Sequence, residues 1–233
     1  MPAPLAVIFD LDDTLFDTAG AMLTALESLA LAVPAFQGRT GAELFALQAG
    51  FMRQLDPEVF NGRLSGVQAR RLRFERMLTA CGDPDPDGEA VAGAYREVYR
   101  ASFRQTPGAG ELLTALRSHG LKIGVLTNYL REVQLETLEA VGLLPLIDAL
   151  VTVSEAPPKP HRGGYLAVCA ALGVQPAQAV MVGDHWANDV AGAVSAGLRA
   201  VWYNPSGRAA SGDVPHTALA GFLPLEAALA ALI

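Results

Sequence analysis

The sequence predicts an α/β fold in which a mostly parallel sheet is interrupted once by an inserted, all-helical module. Two observations lead to this prediction. Five short apolar runs suited to β-strands are spread along the chain, and from the second run onward they alternate with segments of helical spacing. Between the first and second runs lies a long stretch without any strand pattern. Regular alternation of strand and helix implies right-handed crossovers and parallel neighbours.

The predicted strands are nearly continuous in apolar residues, as expected for strands that are covered on both faces. They comprise residues 6–9, 122–126, 149–153, 179–182 and 199–203. Each helical segment between the later strands is followed by a glycine, which suits the left-handed turn that closes a helix. These glycines are Gly120, Gly142, Gly173 and Gly197.

The long stretch without strands predicts the inserted module. It is helical in pattern, and its turn signals at Val33-Pro34, Asp56-Pro57, Asn61-Gly62 and residues 82–86 divide it into roughly four helices. The predicted domains are therefore a core of residues 1–16 and 105–233 and a helical module of residues 17–104. The polar segment 207–215 is predicted to be a surface loop.

Composition excludes several classes of protein. A hydrophobic content of 51% argues against disorder, and a net charge of -7 argues against a nucleic-acid binder. No apolar run reaches the roughly 20 residues that a bilayer-spanning helix needs, so no membrane association is expected. Cys81 and Cys169 lie far apart without metal-like spacing. They predict two buried thiols in a reducing, cytoplasmic setting.

Acidic residues follow two of the predicted strands. Asp10 and Asp12 end the first strand, and Asp184 and Asp189 follow the fourth. Because ligands bind at the carboxyl ends of parallel strands, we expect these side chains to meet in one crevice. Grouped carboxylates repel one another unless a cation joins them, and an all-oxygen ligand set suits Mg²⁺. The sequence therefore predicts a magnesium site with these four aspartates as candidate ligands.

Three further polar residues belong to the same predicted crevice. Thr127 and Asn128 end the second strand ahead of a helix, where backbone N–H groups bind anions. Lys159 follows the third strand, and prolines on both sides stiffen its position. Only two of the 17 basic residues are lysines, which argues against an ordinary surface charge. Together, Mg²⁺ and Lys159 would neutralise the repulsion between an attacking carboxylate and an anionic phosphate.

The order of these motifs resembles the haloacid dehalogenase-like hydrolase superfamily. The helical insert matches the cap domain that this superfamily places between its first and second motifs, so the resemblance covers essentially the whole chain and implies a Rossmann-like core. The four motifs are Asp10-Leu11-Asp12-Asp13-Thr14, Thr127-Asn128, Lys159-Pro160, and Gly183-Asp184 followed by Asp189.

The resemblance implies a magnesium-dependent phosphatase for small-molecule phosphate monoesters. Asp10 matches the nucleophile that becomes an aspartyl phosphate, and Asp12 matches the acid that protonates the leaving alcohol and then activates water. Thr127 with the Asn128 backbone corresponds to the phosphate cradle. Lys159 corresponds to the residue that steadies both the nucleophile and the phosphate.

The family's acidic motif around magnesium matches Asp184 and Asp189, with Asp184 as the direct ligand and the backbone carbonyl of Asp12 completing the protein's share. Two features depart from the family pattern. His185 stands where a small hydroxyl residue is common, and Pro157-Pro158 replaces a looser segment before the lysine. Neither departure affects a core role.

Three alternatives to a phosphatase stay open. A 2-haloacid dehalogenase on this fold needs neither the magnesium cluster nor the acid. A sugar phosphomutase differs only in how long its aspartyl phosphate survives water. A non-catalytic phospho-aspartate switch domain has little use for a helical cap. The substrate also stays open among phosphoglycolate, sugar phosphates and nucleoside monophosphates, as do the oligomeric state and any substrate contact of His185 or of the basic cluster Arg70, Arg71, Arg73 and Arg76.

Overall fold

The chain divides into two compact units. A computed structural model describes residues 3–233, so Met1 and Pro2, at the start of the predicted core, lie outside the described residues. The first unit, called the core unit below, comprises residues 3–17 and 104–233, and the second, called the helical unit, comprises Thr18–Phe103. Each limit lies one residue from the limit predicted from the sequence.

Within residues 3–233, the core unit contains a six-stranded, all-parallel sheet of order β3-β2-β1-β4-β5-β6. This arrangement confirms the α/β prediction. The direction of strand addition reverses at β1, so the ligand crevice expected for such a sheet lies at the carboxyl ends of β1 and β4. The strands are β1 (Ala6–Phe9), β2 (Lys122–Leu126), β3 (Ala149–Val151), β4 (Ala179–Gly183), β5 (Arg199–Tyr203) and β6 (Thr217–Leu219).

The helical unit has an apolar core of its own, which includes the fully buried Phe36 and Phe74 and the almost fully buried Tyr95. Capping boxes open the second and third helices, where Thr40 pairs with Glu43 and Ser65 with Gln68. The α-helices of this unit are α1 (Thr18–Ala32), α2 (Gly41–Phe60), α3 (Gly66–Ala80) and α4 (Gly88–Ala101).

The predicted turn at Asp56-Pro57 is wrong, because α2 continues through Pro57 to Phe60. Proline removes one backbone donor, but its carbonyl still accepts the N–H of Asn61 at 3.1 Å. Leu55 and Val59, four residues apart, are both buried and hold the last turn of the helix in place. Tertiary burial here outweighs the local preference of proline.

Helices pack on both faces of the sheet in the core unit. Ala6 and Ile8 belong to a buried cluster with residues of α7 and α8, whereas the ring of Phe9 contacts Phe222 edge-on. Among residues 3–233, no helix combines the length and the apolar character needed to cross a membrane. The core helices are α5 (Ala109–Ser118), α6 (Arg131–Ala140), α7 (Arg162–Leu172), α8 (Gly192–Ala196) and α9 (Leu225–Leu232).

Both cysteines are free thiols. Cys169 is buried as predicted, and burial raises its pKa to about 11. The prediction of a buried thiol is wrong for Cys81, which is only partly buried. It follows the last residue of α3, where the chain leaves the helix.

Candidate active site

The chain reverses direction directly after β1. The backbone N–H groups of Thr14, Leu15 and Phe16 all donate to the carbonyl of Leu11. Asp13 takes the left-handed conformation with φ 58°, which aspartate tolerates better than most side chains. This tight turn leaves Asp10 at the carboxyl end of the strand with only 8% of its surface exposed.

Lys159 lies at the centre of the candidate site. Its Nζ donates to Oδ1 of Asp10 and to Oδ1 of Asp189, at 2.7 Å in both cases. All three residues are buried, and Asp189 is fully buried. Burial alone would lower the pKa of Lys159, but the carboxylates of Asp10 and Asp189 raise that pKa above its ordinary value. The lysine therefore stays cationic and links motifs that are distant in sequence.

Asn128 holds the backbone of Lys159 from both sides. Its Oδ1 accepts the Lys159 N–H at 2.7 Å, and its Nδ2 donates to the Lys159 carbonyl, also at 2.7 Å. The sequence predicted only a backbone role for Asn128 in holding phosphate. The observed contacts make its side chain a clamp that fixes where Lys159 enters the crevice.

The segment after β4 brings Asp189 back against the end of that strand. Oδ2 of Asp189 accepts the His185 N–H at 3.0 Å. A methyl group on Gly183 would overlap the Asp189 carboxyl group, so only glycine permits this approach. The Tyr165 hydroxyl donates to the carbonyl of Asn188 and anchors the single π-helical turn Trp186–Ala191. Both oxygens of Asp189 are thus engaged by the protein.

Three of the four predicted metal ligands meet at the crevice. Single oxygen atoms from Asp10, Asp184 and Asp189 all lie within 4.8 Å of one another. Burial raises the pKa of Asp10 well above its ordinary value, and the charges of Asp189 and Asp12 raise it further against the opposing effect of Lys159. Burial also raises the pKa of Asp184. Such a set of crowded, hard oxygen donors fits a divalent cation such as Mg²⁺.

The Asp12 carboxylate is held by a residue that the sequence reasoning missed. Nε2 of Gln134, in α6, donates to Oδ2 of Asp12 and to Oγ1 of Thr127, each at 2.7 Å. Gln134 and Thr127 are almost completely buried. Gln134 lies in the first turn of α6, seven residues after Thr127, but a single polar residue on a helix carries no distinctive sequence signal.

Arg208 is a second residue that the sequence did not indicate. It belongs to the polar segment predicted as a surface loop, yet one guanidinium nitrogen contacts the Asp184 carbonyl at 2.7 Å and Oδ2 of Asp184 at 3.3 Å. The side chain of Asn204 bonds both the N–H and the carbonyl of Arg208, at 2.9 Å each. A loop contact of this kind is invisible in local sequence patterns.

His185 is exposed, and its ring closes the local turn. Nδ1 accepts the backbone N–H of Asn188 at 3.2 Å. This position gives His185 a local capping contact and leaves any substrate contact a prediction.

The basic cluster of the helical unit is partly packed against aromatic rings. The Arg73 guanidinium lies 5.1 Å from the ring centre of Phe74 and 5.6 Å from that of Tyr95. Arg76 donates to Oε1 of Gln54 at 3.3 Å. These contacts give the two arginines structural roles within their own unit.

Known proteins with similar sequences belong to one hydrolase family. A family model described as haloacid dehalogenase-like hydrolase matches residues 4–197. A ribulose-1,5-bisphosphate 5-phosphatase from Halopiger xanaduensis is 33% identical over 86% of this chain and 85% of that protein. An N-acylneuraminate-9-phosphatase from Mus musculus is 32% identical over 96% of this chain and 93% of that protein.

One solved structure with a similar fold is named for a different reaction. A 2-haloacid dehalogenase from Pseudomonas syringae pv. Tomato DC3000 is 27% identical, covers 99% of each chain and superposes with a TM-score of 0.64. The chain is thus similar in sequence to phosphatases and in fold to an enzyme named for carbon–halogen cleavage.

Proposed function

Because this chain belongs to the haloacid dehalogenase-like hydrolase family and is similar in sequence to phosphatases of known name, we propose that it hydrolyses small-molecule phosphate monoesters with the aid of magnesium, through a phosphorylated Asp10. The observation that carries the proposal is the arrangement around Asp10. This buried carboxylate is fixed by the Lys159 ammonium and lies beside the Asp184 and Asp189 carboxylates. The ammonium, together with a cation held by these carboxylates, would offset the repulsion between the anionic nucleophile and an anionic phosphate.

In the first step, a carboxylate oxygen of Asp10 attacks phosphorus. Lys159 holds Oδ1, so we assign the attack to Oδ2. A bond forms between Oδ2 and phosphorus while the bond from phosphorus to the ester oxygen breaks. Asp12 gives its proton to that oxygen, and the alcohol leaves.

In the second step, water releases the phosphate. The Asp12 carboxylate takes a proton from water, the water oxygen bonds to phosphorus, and the bond from phosphorus to Oδ2 breaks. Inorganic phosphate leaves, Asp10 is again a carboxylate, and Asp12 is again protonated. The Thr127 hydroxyl and the Lys159 ammonium would hold the phosphate oxygens through both steps.

We assign magnesium to the oxygens of Asp10 and Asp184, with the Asp12 backbone carbonyl as a further ligand. When bound, the ion would neutralise the charge gathered between the carboxylates and the transferring phosphate. Both oxygens of Asp189 already accept hydrogen bonds from the protein. We therefore assign Asp189 two roles: it adds to the negative charge that attracts the cation, and it orients Lys159.

Phosphate esters of small metabolites are the proposed substrate class. The two relatives described above are named for phosphates of ribulose and of N-acylneuraminate, so phosphorylated sugars are the first compounds to test. We further propose that the helical unit serves as a cap that supplies substrate contacts and excludes water. The free thiols support a cytoplasmic location.

Dehalogenation is the second candidate, because a 2-haloacid dehalogenase shares the fold at 27% identity. A halide leaves as a stable anion and needs no proton from Asp12. Nor does attack on carbon call for a cluster of carboxylates fit for a metal. The site therefore favours phosphate chemistry.

The test is phosphate release from a panel of sugar phosphates, phosphoglycolate and nucleoside monophosphates, measured with Mg²⁺ and with EDTA. We expect magnesium-dependent release that disappears in Asp10→Asn, since an amide is not a nucleophile here. Asp213→Asn, in the exposed 207–215 loop, is the matched control and should keep full activity.

Halide release from 2-chloropropionate is measured on the same preparations. Halide release without phosphate release would overturn the phosphatase proposal in favour of the second candidate. No phosphate release from any ester by folded protein would also overturn it.

A further inference from the structure

The Gln134 side chain is a junction between two of the proposed reacting groups. One nitrogen, Nε2, bonds both Oδ2 of Asp12 and Oγ1 of Thr127, each at 2.7 Å. Gln134 is 1% exposed, so water does not substitute for these bonds. No local helical contact explains this pairing, because Asp12 lies 122 residues earlier in the chain.

The chemistry of an amide fixes the direction of both hydrogen bonds. An amide nitrogen carries two hydrogens and only donates, so Oδ2 of Asp12 and Oγ1 of Thr127 must both act as acceptors. When Asp12 is ionised, the reverse orientation would place the amide oxygen against a carboxylate oxygen, where two acceptors repel. Gln134 therefore uses both of its hydrogens on these two partners.

We propose that Gln134 is a positioning residue that sets the direction of proton donation at Asp12 and Thr127. The bond to Oδ2 fixes the orientation of the Asp12 carboxyl group, and with it the direction from which the proton reaches the leaving oxygen. Because Oγ1 of Thr127 accepts from Gln134, its own hydrogen is available to a phosphate oxygen. The inference rests on the proposed function, which takes Asp12 as the acid and Thr127 as a phosphate ligand.

The inference has a chemical signature in the leaving group. An alkoxide needs a proton as it departs, whereas 4-nitrophenolate is stable enough to leave without one. A misdirected Asp12 proton should therefore slow the cleavage of alkyl phosphates far more than the cleavage of 4-nitrophenyl phosphate. A loss of overall folding or of site shape would slow both reactions alike.

The experiment measures kcat/KM for both esters in wild type and in Gln134→Met, which keeps the side-chain length but removes both donors. For the best alkyl phosphate we expect a fall of about 10- to 100-fold, as for a misaligned acid. For 4-nitrophenyl phosphate we expect a fall of only about threefold, from the lost orientation of Thr127. kcat/KM is used because it reports the step in which the alcohol leaves.

Two further variants keep the test decisive. Gln134→Glu keeps the shape and replaces the donors by a carboxylate, so it should show the same selectivity even if the methionine variant folds poorly. Thr137→Val changes another buried residue of α6, whose hydroxyl bonds only the helix carbonyl of Val133, and should leave both rates unchanged.

Equal losses on the two esters, or no loss on either, would overturn the role of Gln134 while leaving the proposed function intact. If wild type cleaves neither ester, the proposed function itself fails, and this inference fails with it. The wild-type rates alone distinguish the two failures.

Discussion

At the scale of single residues, one buried ammonium balances two buried carboxylates. Lys159 bonds both Asp10 and Asp189 at 2.7 Å, and its side chain is only 3% exposed. Removing one member of a buried pair leaves an uncompensated charge, which costs far more than the intact pair contributes. Lys159 therefore has two separable effects, one on stability and one on catalysis.

We expect Lys159→Met to abolish phosphate release and, in EDTA at neutral pH, to lower the free energy of unfolding by about 3 kcal/mol. The double variant Lys159→Met/Asp189→Asn should regain part of that stability but no activity. Urea unfolding and phosphate release measure the two effects. Lys122→Met removes the other lysine, which bonds the Leu172 carbonyl from the surface, and serves as the matched control.

Full activity in Lys159→Met, or equal stability of the single and double variants, would contradict this account of the ion pairs.

Most of the site residues that could be predicted from sequence lie at a strand end or in the segment that follows it. Asp10, Thr127 and Asp184 each directly follow an apolar run, and the parallel sheet brings those ends together. Gln134 and Arg208 could not be predicted, because each reaches the site from a helix or loop whose placement depends on tertiary packing. The local sequence pattern locates the end of a strand, but it does not show which helix or loop packs next to that end.

At the scale of elements, the same reasoning explains which strands and helices were predicted. The five predicted strands are nearly continuous hydrophobic runs, and all five are present, although β3 ends two residues early. β6 was missed because two of its three residues are exposed, so it has no apolar pattern. α9 was not predicted, although Pro224 stands directly before it and proline is common at the start of a helix.

Asp148 connects three elements through its carboxylate. Oδ2 accepts the Ile123 N–H of β2 at 2.7 Å, and Oδ1 accepts from Arg117 of α5 at 2.7 Å, just before β3 begins. Partial burial alone would raise the pKa of Asp148, but these hydrogen bonds and the charges of Arg117 and Lys122 lower it below its ordinary value. The carboxylate form is therefore favoured by folding.

We expect Asp148→Asn to lower the free energy of unfolding at pH 7 by about 1 kcal/mol, a modest value because solvent screens the partly exposed ion pair. A lowered pKa stabilises the fold above the unfolded-state pKa of aspartate, and this stabilisation is lost as the pH falls through the folded-state pKa. The difference between wild type and variant should therefore shrink below about pH 4.

Urea unfolding at several pH values between 7 and 3 checks this, with Asp213→Asn as the control. A difference that stays constant or grows as the pH falls would show that the Asp148 carboxylate does not stabilise the fold.

At the scale of the whole molecule, the helical unit leaves and re-enters the core unit at neighbouring points. The Asp17 N–H donates to the Arg104 carbonyl at 3.2 Å, and the two side chains form an ion pair at 2.7 Å. The adjacent Phe16 and Gln105 form an antiparallel bridge. The core chain could therefore be closed by a short turn without residues 18–103.

We expect a chain in which an Asn-Gly turn replaces residues 18–103 to fold cooperatively, because such turns connect antiparallel segments. Since Asp10, Asp184 and Asp189 all belong to the core unit, Mg²⁺ should still raise its melting temperature. Phosphate release should be strongly reduced, because the proposed cap is gone. Calorimetry with and without Mg²⁺ measures the first two expectations.

The same deletion carrying Asp184→Asn should lose most of the Mg²⁺ effect. A deleted chain that unfolds without cooperativity would contradict the independence of the core unit.

The central claim is that phosphate passes through Asp10. The most direct measurement quenches the enzyme in acid during turnover of its best phosphate ester, reduces any acyl phosphate with borohydride, and sequences the peptides by mass spectrometry. We predict homoserine in place of Asp10, found only when both substrate and Mg²⁺ are present and at no other aspartate. Rapid phosphate release with Asp10 unmodified, from an enzyme whose other aspartates are also intact, would instead mean direct attack by water and would contradict the account.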